Sequence, residues 1–127
     1  MTSAPLIVIV EDDQSLLHAQ LGLLRACGYR AMGFESAEQM LESTQNVSVD
    51  LVATDIHMGA MDGFELSREL RRRCPDVPVI MLTASNDKAL ESKAIDAGAL
   101  CLLTKPLDGG KLLQWIEAAL GKGSDPR

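Results

Sequence analysis

The stretch VDLVATDIHMGAMDGFEL, residues 49–66, decides how this chain is read. An apolar run, Leu51 to Ala53, ends abruptly in Asp55. A glycine-bearing loop follows, then the start of a helix-like pattern. A carboxylate at the mouth of a buried strand costs free energy unless it is paired, metal-bound or used. The rest of the chain has to supply the reason for Asp55.

Working outward, the same kind of run recurs. LIVIV (6–10) is continuous, apolar and β-branched, the signature of a strand buried on both faces. DLVAT (50–54), VPVIML (77–82, with Pro78 near its start) and ALCLLT (99–104) read the same way, and YRAMGF (29–34) alternates like a strand. Between them lie helical patterns. Residues 14–28 place Leu17, Leu21 and Leu24 on one stripe, with Asp13 as N-cap and Gly28 at the C-terminal stop. Residues 36–43 open on a capping box, Ser36 with Gln39. Residues 63–74 turn Phe64, Leu66 and Leu70 inward; residues 86–98 end at Gly98 and residues 108–121 at Gly121. Five alternations of strand and helix predict a parallel sheet with helices on both faces and right-handed crossovers.

The bulk numbers agree with one such domain. The chain has 127 residues, 46% hydrophobic and 24% charged, with a formal net charge of −6. That charge disfavours non-specific binding to nucleic acid or an anionic membrane. Cys27, Cys74 and Cys101 are scattered singly, so neither zinc nor a disulfide framework is expected. The N-terminus lacks a basic region before its apolar run, and no apolar run approaches a membrane span. The expectation is a reduced cytoplasmic domain over residues 1–121, a polar disordered tail over 122–127, and no output domain after residue 121.

In open parallel sheets, ligands bind at the carboxyl ends of the strands. The first strand ends in Glu11-Asp12-Asp13, the third in Asp55, the fourth in Thr83-Ala84-Ser85 and the fifth in Lys105-Pro106. Glu11, Asp12 and Asp55 would repel one another unless a cation sits among them. Oxygen donors without His or Cys suit Mg²⁺, or Mn²⁺. A hydroxyl at Thr83 and an ammonium at Lys105 suit the remaining oxygens of a phosphoryl group. Aspartate is a competent phosphoryl acceptor. These parts describe a site at which Asp55 becomes an aspartyl phosphate, a labile acyl phosphate suited to a signal that decays.

Four motifs, VEDD (10–13), TDIHMGAMDG (54–63), LTA (82–84) and KP (105–106), each at a strand end, make residues 6–120 resemble the receiver domain of bacterial two-component response regulators. The resemblance implies a flavodoxin-like (βα)5 fold with strand order 2-1-3-4-5. It implies Asp55 as phospho-acceptor, Asp12 as a direct metal ligand, Glu11 acting through water, and the backbone carbonyl of His57 as a further ligand. Thr83 is then the switch hydroxyl, Lys105 its partner at the phosphoryl group, and the Lys105–Pro106 bond is cis. His57 and Ser85, each two residues beyond a site residue, would tune the phosphoryl lifetime. The phosphodonor would be a phosphohistidine on a sensor histidine kinase or phosphotransfer protein. Output would pass through the fourth helix, fifth strand and fifth helix, including Lys88, Leu90, Lys93 and residues of 108–120, to a downstream protein target or onward by phosphorelay. The resemblance implies no enzyme beyond self-phosphorylation and self-dephosphorylation, no direct contact with nucleic acid or membrane, and it admits a phosphorylation-dependent homodimer.

The chain departs from the family pattern in three places. Gly59 stands where a proline is usual, and Leu107 where Phe is common. Leu102 replaces the aromatic ring that swings inward as the switch hydroxyl moves, and leucine cannot report that change in the same way. Other residues keep plain readings: His18 solvated, Trp115 and Cys101 in the core, and Arg71–Arg73 closing a helix rather than contacting DNA. A haloacid-dehalogenase-type phosphatase would need a second Asp two residues after Asp55, where His57 stands. In a flavodoxin-type cofactor site, Glu11, Asp12 and Asp13 would repel the phosphate. The remaining alternative is a receiver-like binding module that works without phosphorylation.

Overall fold

The computed structural model describes residues 4–106 and 108–121. The expectations placed on Leu107 and on the tail 122–127 fall outside those residues. Five strands, β1 (Leu6–Val10), β2 (Arg30–Phe34), β3 (Leu51–Asp55), β4 (Val79–Thr83) and β5 (Cys101–Thr104), form one parallel sheet in the order β2-β1-β3-β4-β5. The helices are α1 (Gln14–Ala26), α2 (Ala37–Ser43), α3 (Gly63–Arg73), α4 (Ala89–Asp96) and α5 (Gly109–Ala119). This is the doubly wound fold that the alternation predicted.

The continuous apolar strands are needed because both faces of the sheet are covered. Ile7, Ile9, Leu51, Ala53, Ile80, Leu82, Cys101 and Leu103 face Leu17, Leu21 and Leu24 of α1 and Leu112, Trp115 and Ile116 of α5. Val8, Val10, Val52, Val79 and Met81 face Met40 of α2, Leu66 and Leu70 of α3, and Leu90 and Ala94 of α4. The pleat assigns alternate residues to opposite faces, and this parity carries into the strand ends. Glu11, Asp55 and Lys105 continue the odd positions of the α1–α5 face. Thr83 continues the positions of Val79 and Met81, on the face that α4 covers.

Caps fix where the helices begin. Asp13 Oδ1 accepts from the amides of Ser15 (3.0 Å) and Leu16 (3.1 Å). Ser36 Oγ accepts from Gln39 N at 3.2 Å, one half of the expected capping box. Asp62 and Glu65 form both halves of a box that opens α3.

The boundaries differ from the sequence reading in several places. β4 begins at Val79, because Pro78 has no N–H to give a ladder and contributes only its carbonyl, to Val52 N at 3.1 Å. Asp50 is not a strand residue; its carboxylate accepts from Leu6 N at 2.7 Å and pins the start of β1. α4 is shorter than 86–98, since its first helical residue is Ala89 and its last is Asp96, and β5 begins at Cys101 rather than at residue 99. Leu90, expected on an output surface, is instead buried among the residues of the second core. Trp115 and Cys101 are buried, and His18 is exposed, as read.

Candidate functional site

Three strand ends converge at the carboxyl edge of the sheet. Asp55 closes β3 and is only 7% exposed; Glu11, directly after β1, is fully buried; Asp12 is exposed beside it. Ligand oxygens of the three lie within 4.8 Å of one another. Lys105, directly after β5, reaches into the group: its Nζ donates to Glu11 Oε1 at 2.5 Å and lies 3.2 Å from Asp55 Oδ2. The Asp13 amide donates to Glu11 Oε2 at 3.3 Å. Three carboxylates facing one ammonium leave about two formal negative charges, which a divalent cation would balance.

The electrostatics follow from this geometry. Burial pushes the Glu11 carboxyl above its ordinary value, and the charge of Asp55 adds to the rise; the bonds from Lys105 and the Asp13 amide oppose it without cancelling it. Burial pulls Lys105 down, but the hydrogen bond to Glu11 and the charges of Asp55 and Glu11 outweigh it, and the net shift is upward. The ammonium is therefore held charged where the carboxylates need it.

The donor set fits a hard divalent cation. It is all oxygen, its members come from two adjacent strands, and Asp12 keeps an open, solvated side. Those features suit Mg²⁺, which retains waters and exchangeable positions.

Thr83 lies in β4 one step beyond Leu82, the register partner of Asp55, and is fully buried. Its Oγ1 accepts from Ser85 N at 3.0 Å. His57 is exposed in the loop after β3. The Lys105–Pro106 peptide is cis. Leu102, half-buried in β5, borders clefts on both sides of that strand.

The loop from Asp55 to α3 is closed by Gly63, whose amide donates to Ile56 O at 2.9 Å and whose Cα side meets the Asp55 backbone. The spacing Asp62-x-x-Glu65 signals this helix start in the sequence. The arginines at the end of α3 are engaged within the molecule. Arg72 and Arg73 both pair with Glu69, the latter at 2.8 Å, and the Arg71 stem lies where a side chain at Gly98 would be.

Comparison with known proteins agrees with this arrangement. The sequence profile described as the response regulator receiver domain matches residues 7–117. The transcriptional regulatory protein ZraR of Klebsiella oxytoca is 38% identical over 114 residues, covering 90% of this chain and 26% of that protein. The response regulator protein TodT of Pseudomonas putida is 32% identical over 117 residues, covering 92% of this chain and 52% of that protein. The chain thus spans about a quarter to a half of the length of these curated relatives. Among solved structures, a CheY-like receiver domain protein from Methanospirillum hungatei superposes with a TM-score of 0.88 at 28% identity, covering 94% of this chain and 96% of that one. A signal receiver domain of an HD domain-containing protein from Pseudomonas fluorescens gives 0.88 at 31% identity, covering 95% and 90%.

Proposed function

Because the chain belongs to the response regulator receiver domain family, we propose that it accepts a phosphoryl group on Asp55 from a phosphohistidine of a sensor kinase or phosphotransfer protein. The observation that carries the reading is the close grouping of Glu11, Asp12 and Asp55 with Lys105 ion-paired into it. An Asp55 carboxylate oxygen forms a bond to phosphorus as the N–P bond of the donor breaks, and the imidazole nitrogen keeps the electron pair. Hydrolysis reverses the state: water attacks phosphorus, the acyl phosphate bond breaks, and Asp55 returns as carboxylate with inorganic phosphate released.

The chain's residues divide this work. β3 holds Asp55 at the carboxyl edge of the sheet, only 7% exposed and grouped with Glu11 and the exposed Asp12. Glu11, Asp12, Asp55 and the carbonyl of His57 would hold Mg²⁺, whose charge would draw in and polarise the phosphoryl oxygens. Lys105, already 3.2 Å from Asp55, supplies a positive charge to a second oxygen without changing strand. Thr83 offers a hydroxyl to a third. His57 and Ser85 set how readily water reaches the acyl phosphate. Partners would be a histidine kinase or phosphotransfer protein on one side and a downstream protein target on the other, in the cytoplasm. Among the described residues no helix is long and apolar enough to cross a membrane.

Calorimetric titration with beryllofluoride tests the reading. Wild type should bind it only with Mg²⁺ present, and Asp55→Asn should not bind it at all. Wild type that fails to bind it in Mg²⁺ would favour a binding module that works without phosphorylation.

A further inference from the structure

We propose that Thr54 is a positioning residue for the cation site: its buried hydroxyl tethers the turn after β3, from Asp55 to Met58, and so fixes where the His57 carbonyl stands. The inference rests on the proposed function, in which Glu11, Asp12, Asp55 and that carbonyl hold Mg²⁺.

Thr54 lies in the central strand and is fully buried. Its register partners, Val10 on β1 and Met81 on β4, belong to the core under α2, α3 and α4, and so does Val52 on the same strand face. Among apolar neighbours a hydroxyl is costly unless it is hydrogen-bonded. Valine would fill the same shape without that cost, so the oxygen is explained by what it bonds. It donates to the Asp55 carbonyl at 3.0 Å, and Met58 Sδ stands 4.0 Å from it, at the limit of a bond to sulfur. A hydroxyl has one proton, so the carbonyl takes the stronger bond and the thioether the weaker.

The two acceptors bracket Ile56 and His57 in the chain. Ile56 is fixed from both sides, its amide donating to Leu82 O at 3.0 Å and its carbonyl accepting from Gly63 N at 2.9 Å. The residues after it have little to hold them. Among the described residues, the contact with Thr54 is the only hydrogen bond that any of residues 57–61 makes. Gly59 stands in open space, without the ring by which proline would fix φ. Thr54 is β-branched and stiff about χ1, so its oxygen gives the turn a rigid anchor. Met58 packs against the same core as Val52, which holds its side chain inward.

A ligand of a metal is oriented by the groups that hold it from behind, and their loss is felt in affinity. Removing the Thr54 hydroxyl leaves Glu11, Asp12, Asp55 and Lys105 where their strand ends place them and releases only the turn. The loss therefore falls on affinity for Mg²⁺ more than on the chemistry of Asp55.

The test is calorimetric titration of the full chain with Mg²⁺ alone, beside acetyl-phosphate labelling read by intact mass across a range of Mg²⁺, and urea melts without the metal. Thr54→Val should bind Mg²⁺ about tenfold more weakly than wild type, the usual cost of losing a partner that orients a ligand. Its labelling should need about tenfold more Mg²⁺ for half the maximal rate, with a much smaller fall in that maximum. Thr54→Ser keeps the hydroxyl and should restore both, which a defect of core packing would not. Met58→Leu leaves Thr54 in place and should weaken Mg²⁺ binding by a smaller factor. Wild-type affinity in Thr54→Val overturns the tether alone, as does wild-type affinity in Met58→Leu if the urea melt shows Thr54→Val unfolded. Equal weakening in Thr54→Ser and Thr54→Val overturns it too. Wild type that binds no Mg²⁺ and gains no phosphoryl mass overturns the site reading, and the tether with it.

Discussion

Replacing Gly63 by alanine puts a methyl group where the backbone of the acceptor strand already lies. An ideal Cβ there stands 2.5 Å from the carbonyl oxygen of Asp55 and 2.9 Å from Cα of Ile56. Carbon contacts become favourable near 3.5 Å, so α3 and the end of β3 must separate by about 1 Å. Both neighbours are backbone, which cannot swing aside like a flexible side chain. Overpacking of this kind costs about 1–3 kcal/mol, and the better helix propensity of alanine returns at most about 1 kcal/mol in the first turn. A net loss of about 1–2 kcal/mol lowers the melting midpoint of a domain this size by roughly 4–8 °C. The same shift moves Asp55 relative to Glu11 and Lys105, so acetyl-phosphate labelling should slow as well. Gly22→Ala is the control. It lies within α1, has no atom within 4 Å of its Cβ, and should gain about 0.5–1 kcal/mol from propensity alone. Calorimetric melts of the three proteins decide it. Gly63→Ala melting at or above wild type would refute the claim that close approach at Gly63 sets the position of Asp55.

Other perturbations have definite signs. Gln20 is 6% exposed on the buried stripe of α1, and neither amide atom has a hydrogen-bond partner among the described residues; Gln20→Leu should therefore raise urea stability by about 1–3 kcal/mol, and a loss would show the amide is satisfied. Asp50→Ala strips the acceptor from Leu6 N and should cost about 1 kcal/mol, read in the same urea titration, with slower labelling only as a consequence of lower stability. Mg²⁺ at ten times its dissociation constant should add about 1.4 kcal/mol of stability, roughly 6 °C in melting midpoint, and Asp12→Ala should remove most of that gain.

Much of this architecture was legible because the physics is local. β1 and β3 are covered on both faces, so β1 is apolar throughout and β3 is apolar as far as Ala53. Asp13, Ser36 and the glycines after α1 and α4 announce helix ends by backbone need, with Gly28 at φ +90° and Gly98 at φ +97°. What stayed hidden is long-range or masked by residue type. The bond from Lys105 to Glu11 joins positions 94 apart, which no periodicity reports. Gln20 and Ser67 occupy buried positions of their helices, but their polarity removes them from a hydrophobic stripe read by composition. α4 is shorter than residues 86–98 because the Asp87 carboxylate accepts from Ala89 N, which marks the helix start three residues later than the pattern alone suggests. The parity of the strand ends could have been counted from the sequence. It puts Glu11, Asp55 and Lys105 on one face and Thr83 on the other, and it explains why the first three meet directly while Thr83 faces α4.

The central claim is that Asp55 accepts a phosphoryl group in a Mg²⁺-assisted site. The most direct measurement is the intact mass of the protein after incubation with acetyl phosphate and Mg²⁺, beside Asp55→Asn and a chelated control. The account predicts one added phosphoryl group on wild type, absent from the variant and from the chelated sample. An equal gain of mass on Asp55→Asn, or wild type that stays unmodified and also fails to bind beryllofluoride, would contradict it.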